Sequence, residues 1–130
     1  MISTADWALI AAEAAADKKG EDIVALNVAE LLVVTDYFVI ATGRTNIQVR
    51  AIAGEIEDQL RDRGGIKPIG REGEAESKWI LLDYGDLVIH VFQPEERGFY
   101  RLEKLWGDAP RLELPAELRG STSASAPIEG

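Results

Sequence analysis

Apolar residues recur along this chain with two different periods, and the switches between them mark its elements. Trp7, Ile10, Ala11 and Ala14 share one face at helical spacing. Ser3 and Asp6 ahead of them can cap a helix, and Lys18, Lys19 and Gly20 supply its last turn and its end. Residues 23–28 and 37–41 are β-rich runs, the second closed by Thr42-Gly43, and both are expected to be strands. Residues 31–34 between them are ambiguous. Thr45 or Asn46 can cap a second helix, in which Ile52, Ile56 and Leu60 repeat at four-residue spacing with Val49 and Ala53 beside them, until Gly64-Gly65 stops it.

Beyond this second helix the period returns to two. Ile66-Lys67-Pro68-Ile69 reads as a short edge strand, because proline is tolerated at edges, and residues 70–77 read as a solvated loop rich in glutamate. Residues 78–83 and 87–92 are two further β-runs. Pro94 suits the first turn of a last helix, which aligns Phe99, Leu102, Leu105 and Trp106 before Gly107. The order α-β-β-α-(β)-β-β-α predicts an α/β (α+β) domain with a mixed β-sheet flanked by helices. Its expected extent is residues 1–109, followed by a disordered tail over 110–130 rich in Ser, Pro, Ala and Gly.

With Tyr84 and Gly85 as the two loop residues of a tight hairpin, the register can be counted. Asp83 then faces Asp86, Leu82 faces Leu87, Leu81 faces Val88, Ile80 faces Ile89, Trp79 faces His90 and Lys78 faces Val91. Alternation places Ile80, Leu82, Leu87, Ile89 and Val91 on one aliphatic face, the natural core side. Trp79, Leu81, Asp83, Asp86, Val88 and His90 fall on the other, a mixture suited to an interface centre with a polar rim. A helix from elsewhere in the chain could instead cover that face and make Trp79 core; both readings stay open.

Composition narrows the function. Fourteen Lys and Arg stand against 23 Asp and Glu, a net charge of −9, so the chain lacks the basic footprint of direct nucleic-acid binding and suits a basic protein partner. Cysteine is absent, which removes disulfides and sulfur-based zinc sites and fits a reducing compartment. No apolar stretch is long enough to cross a bilayer and the N-terminus has no basic leader, so a cytoplasmic address without membrane contact is expected. His90 is the only histidine, and no serine nucleophile is placed near it, so it reads as a packing or hydrogen-bonding residue. Thr42-Gly43-Arg44-Thr45-Asn46 has one glycine and no P-loop lysine, and reads as a capped turn. Asp36, Asp83 and Asp86 are the obvious carboxylates for a divalent ion, but nothing in their spacing brings them together. No metal and no cofactor are expected.

Several segments in order carry a family resemblance. These are Asp36-Tyr37-Phe38-Val39-Ile40-Ala41-Thr42-Gly43, Glu72-Gly73, the run from Trp79 to Gly85, His90-Val91-Phe92, and Arg97-Gly98-Phe99-Tyr100-Arg101-Leu102-Glu103-Lys104-Leu105-Trp106. Over about residues 5–109 the chain resembles the ribosomal silencing factors, also called the Iojap-like family. Two positions depart from the pattern: Arg44-Thr45 stands where a small residue is commoner, and Asn27 where an aspartate is.

The resemblance implies a fold similar to nucleotidyltransferases without their catalytic carboxylates, and a protein that is not an enzyme. It implies binding to the large ribosomal subunit through large-subunit ribosomal protein fourteen, blocking the small subunit and lowering translation under nutrient limitation. Organelle relatives look like ribosome assembly factors, and a nucleotide-binding relic is a further alternative. On this reading Trp79, Leu81, Asp83, Tyr84, Asp86, His90, Phe99, Tyr100 and Glu103 are the partner-binding residues, with aromatic anchors set among acids. An exposed apolar face could also make a homodimer.

Overall fold

The computed structural model describes residues 2–30, 35–100, 109–115 and 118, with the side chains of residues 99 and 100 left out. Its elements run α1 (Thr4–Asp17), β1 (Glu21–Asn27), β2 (Tyr37–Thr42), α2 (Asn46–Asp62), β3 (Gly70–Glu72), β4 (Trp79–Asp83), β5 (Leu87–Phe92) and α3 (Pro94–Tyr100). The strands form one mixed sheet in the order β1-β2-β5-β4-β3. β2 and β5 run parallel, and the other neighbours are antiparallel. This is the α+β architecture the periodicity predicts.

Local chemistry explains both long helices. At α1, the Ser3 side chain accepts from the Asp6 N–H while Asp6 accepts from the Ser3 N–H, a reciprocal capping box. At α2, the Thr45 side chain accepts from the Gln48 N–H. The apolar stripe of α2, namely Val49, Ile52, Ala53, Ile56 and Leu60, is buried against α1 and one face of the sheet. Ile80, Leu82, Leu87, Ile89 and Val91 come from the sheet side, each at most 1% exposed. At about 25 cal/mol per Å² of apolar surface removed from water, this layer is the main stabilising term of the fold.

The opposite face of the sheet carries a second cluster, which among the described residues comprises Leu26, Val28, Phe38, Ile40, Phe92 and Ala109, with Val24, Trp79 and Val88 packed on it. Ala109 begins a segment that runs beside β1. The Asn27 N–H donates to the Pro110 carbonyl, the Leu112 N–H donates to the Ala25 carbonyl, and Leu26 pairs with Arg111. Leu114 is buried in the main core. The tail expected from residue 110 therefore starts as part of the domain, at least through residue 115. Its backbone satisfies groups that an edge strand would otherwise leave open, which composition alone does not reveal.

Two strand assignments also move. Residues 66–69 are not a strand; the pairing begins where the Ile69 N–H donates to the Asp83 carbonyl, and β3 occupies Gly70–Glu72 within the expected loop. Residues 31–34 and the continuation of the last helix over 101–106 lie outside the described residues.

Candidate functional site

The β4–β5 hairpin turns one residue later than counted. Gly85 has φ 88° and occupies the first loop position, with Asp86 second, the pattern of a type II′ turn. The Tyr84 N–H donates to the Leu87 carbonyl at 2.8 Å, closing the loop. The Asp83 carboxylate accepts the Gly85 N–H at 2.8 Å, fastening the turn from inside. Positive φ is free of strain at glycine and not at tyrosine, and the side-chain hydrogen bond places it at that one residue.

The correct pairs are Trp79 with Phe92, Ile80 with Val91, Leu81 with His90, Leu82 with Ile89 and Asp83 with Val88. Moving the loop by one residue slides every partner by two, so each strand residue keeps its predicted face. The carboxylate pair does not survive. Asp83 opposes Val88, while Asp86 lies exposed in the loop, its carbonyl accepting the N–H groups of Asp36 and Tyr37 at 2.9 and 3.1 Å. Among the described residues no three such side chains gather as a metal site, so Asp36, Asp83 and Asp86 do not converge.

Among the described residues four rings meet on the second face. Trp79 stacks on its cross-strand partner Phe92, with centroids 4.7 Å apart and planes 22° apart. His90 meets Phe38 edge-on at 5.1 Å and lies 5.9 Å from both Trp79 and Phe92. The Trp79 Nε1–H donates to His90 Nδ1 at 3.1 Å. That bond requires a neutral imidazole with its proton on Nε2. Burial pushes the His90 pKa down to about 4, which keeps the ring neutral at physiological pH.

Several expected contact residues prove to be internal. His90 is 5% exposed, and it supports Trp79 from behind by accepting its indole N–H. Tyr84 is 9% exposed and packs in the main core, where burial pushes its phenol pKa up. It is not a surface anchor, because its place at the end of β4 points it to the aliphatic side. Trp79, Leu81 and Asp83 are partly buried and Asp86 is exposed. The open question about Trp79 thus has an intermediate answer: Phe92 and His90 back it, and part of it meets solvent. Phe99 and Tyr100 belong to α3, but nothing of their side chains is described, and Glu103 lies outside the described residues.

Phe38 and Phe92 are the members that a count along the hairpin omits. Period two places Phe92 beside His90 and Trp79, so continuing the count by two residues finds it. Phe38 arrives only through the parallel pairing of β2 with β5, in which it stands beside Val88.

Comparison with known proteins agrees with this architecture. Residues 2–129 match the family model described as "Ribosomal silencing factor during starvation". The chain is 51% identical over 105 residues to the Bacillus subtilis ribosomal silencing factor RsfS, covering 81% of this chain and 88% of that protein. It is 38% identical over 112 residues to the chloroplastic protein Iojap of Zea mays, covering 84% of this chain and 47% of that one. A crystal structure of a Chromobacterium violaceum protein superposes with a TM-score of 0.72 at 39% identity, over 75% of this chain and 81% of the other. With its mixed sheet, its flanking helices and a match along nearly its whole length, the chain belongs to the ribosomal silencing factor family.

Proposed function

We propose that this protein lowers translation under nutrient limitation by binding large-subunit ribosomal protein fourteen and standing in the path of the small subunit. Family membership carries a ribosome-associated silencing role. The partner-binding surface is the open side of the hairpin, where partly buried Trp79, Leu81 and Asp83 adjoin exposed Asp86. The observation that carries this reading is an aromatic anchor held from behind by Phe92 and His90 on a chain of net charge −9. A rigid ring loses little entropy on binding, and an acidic rim favours a basic protein over a phosphate backbone.

Such a protein works in the cytoplasm as a steric body and needs no catalysis. No helix among the described residues is long and apolar enough to cross a membrane. A second copy of the chain is a further partner, which the concentration dependence of mass in solution measures. The decisive experiment is co-sedimentation with purified large subunits, followed by addition of small subunits. Binding that lowers the yield of joined ribosomes supports the proposal; failure of the protein to co-sediment, or joining at an unchanged yield, overturns it.

A further inference from the structure

Beside the exposed part of Trp79 lies an open groove of about 390 Å³, lined by Gly73, Ala75, Glu76, Lys78, Trp79 and Glu96. One wall is the loop of residues 73–77, which is tightly fastened. Gly73 has φ 89°, and a Cβ there would lie 1.9 Å from the Trp79 carbonyl oxygen, so the loop passes β4 closer than any side chain permits. Ser77 is fully buried; its N–H donates to the Gly73 carbonyl at 2.9 Å and its hydroxyl to the Glu74 carbonyl at 2.8 Å. The Gln93 amide reaches across to the Ser77 carbonyl at 3.2 Å. The other wall carries Glu96 of α3. Two carboxylates from separate elements thus flank the same groove as an indole.

We infer that this groove receives one arginine or lysine side chain of the basic protein partner, its cation against Trp79 and between Glu76 and Glu96. The inference rests on the proposed binding of a basic ribosomal protein through this hairpin, and it specifies where a cation of that protein is held. Tryptophan is the best aromatic partner for a cation, and arginine the commoner cation. The alternatives fit poorly. A phosphate or a carboxylate would meet two like charges, and an apolar side chain would desolvate both glutamates without compensation. Among the described residues of the lining Lys78 is the one cation, against two acids, and exposed Glu95 adds to the same sign next to Glu96. Arg71, held bidentate by Glu57 at 2.7 and 3.0 Å, also comes within 3.9 Å of Glu74 and offsets that carboxylate, but neither Arg71 nor Glu74 is among the described residues of the lining.

The test uses the full chain and purified large subunits, with affinity measured by co-sedimentation at several salt concentrations. Glu76→Gln/Glu96→Gln keeps the shape and removes the charge; Glu76→Gln and Glu96→Gln singly guard against a folding effect, and the melting temperature is recorded for each. The expected result is an affinity loss of about tenfold for the double variant, a shallower salt dependence, and an unchanged melting temperature. Lys78→Gln is expected to bind as well as the parent or better. Wild-type binding that the glutamate variants leave unchanged overturns the groove alone. A loss at Lys78→Gln in place of the glutamates marks an anionic occupant and overturns it as well. Absence of wild-type binding overturns both the groove and the proposed function.

Discussion

The indole N–H of Trp79 donates to Nδ1 of His90 across the hairpin diagonal, two residues away from their true cross-strand partners Phe92 and Leu81. The acceptor exists only while the imidazole is neutral. A buried titratable group therefore holds in place the aromatic residue on which the proposed partner contact depends.

A pH dependence follows with a defined sign. His90 is held near pKa 4 in the folded chain against about 6.5 when unfolded, so between those values the unfolded state binds the extra proton. The stability from keeping His90 neutral is full above about pH 6.5 and is lost progressively as the pH falls toward 4, by about 3 kcal/mol. Urea unfolding from pH 7 to 4 should show this fall, and His90→Phe should remove that component while the carboxylates' contribution persists. Equal pH dependence in the two proteins would refute it.

Trp79→Ala is expected to weaken large-subunit binding by more than tenfold, as truncation of an aromatic anchor commonly does. It also removes the stack on Phe92 and the bond to His90, so a stability loss of about 2 kcal/mol should accompany it. Thermal unfolding and co-sedimentation on one preparation separate the effects, because the loss still leaves a folded majority at assay temperature.

The two aspartates of the hairpin should behave differently. Asp83→Ala removes the acceptor of the Gly85 N–H and is expected to cost about 1 kcal/mol as well as affinity. Asp86→Ala changes an exposed loop side chain and should alter affinity at low salt with no measurable change in melting temperature. Identical melting shifts for the two would contradict the turn geometry.

Leu82→Asp places a charge at a position with no exposure in the main core, between sheet and helices. Such a charge has no partner there, and a loss of more than about 4 kcal/mol is expected, enough to unfold the domain. Circular dichroism and gel filtration of the purified variant check it; a folded, monodisperse variant would show the aliphatic face to be misplaced.

The sequence by itself determined whatever depends on neighbours within a few residues. Ser3 with Asp6 and Thr45 with Gln48 satisfy helix N–H groups three positions on, so the first cap could be read directly and the second narrowed to Thr45 or its neighbour Asn46. The α2 stripe and the two faces of the hairpin follow from fixed periods of 3.6 and 2, which even a misplaced turn left intact. The ordered motifs running to Trp106 carried the family.

The tertiary structure alone decided what depends on groups far apart in the chain. Which glycine position takes the turn was settled by the Asp83 carboxylate and by the burial of Tyr84. That His90 is internal was settled by Phe38 from another strand, and residues 109–115 join the fold because β1 has an edge to be paired. The Trp79 face, half open and half core, is the sum of these nonlocal contacts. No local period encodes them, since desolvation and backbone pairing depend on which distant surfaces meet.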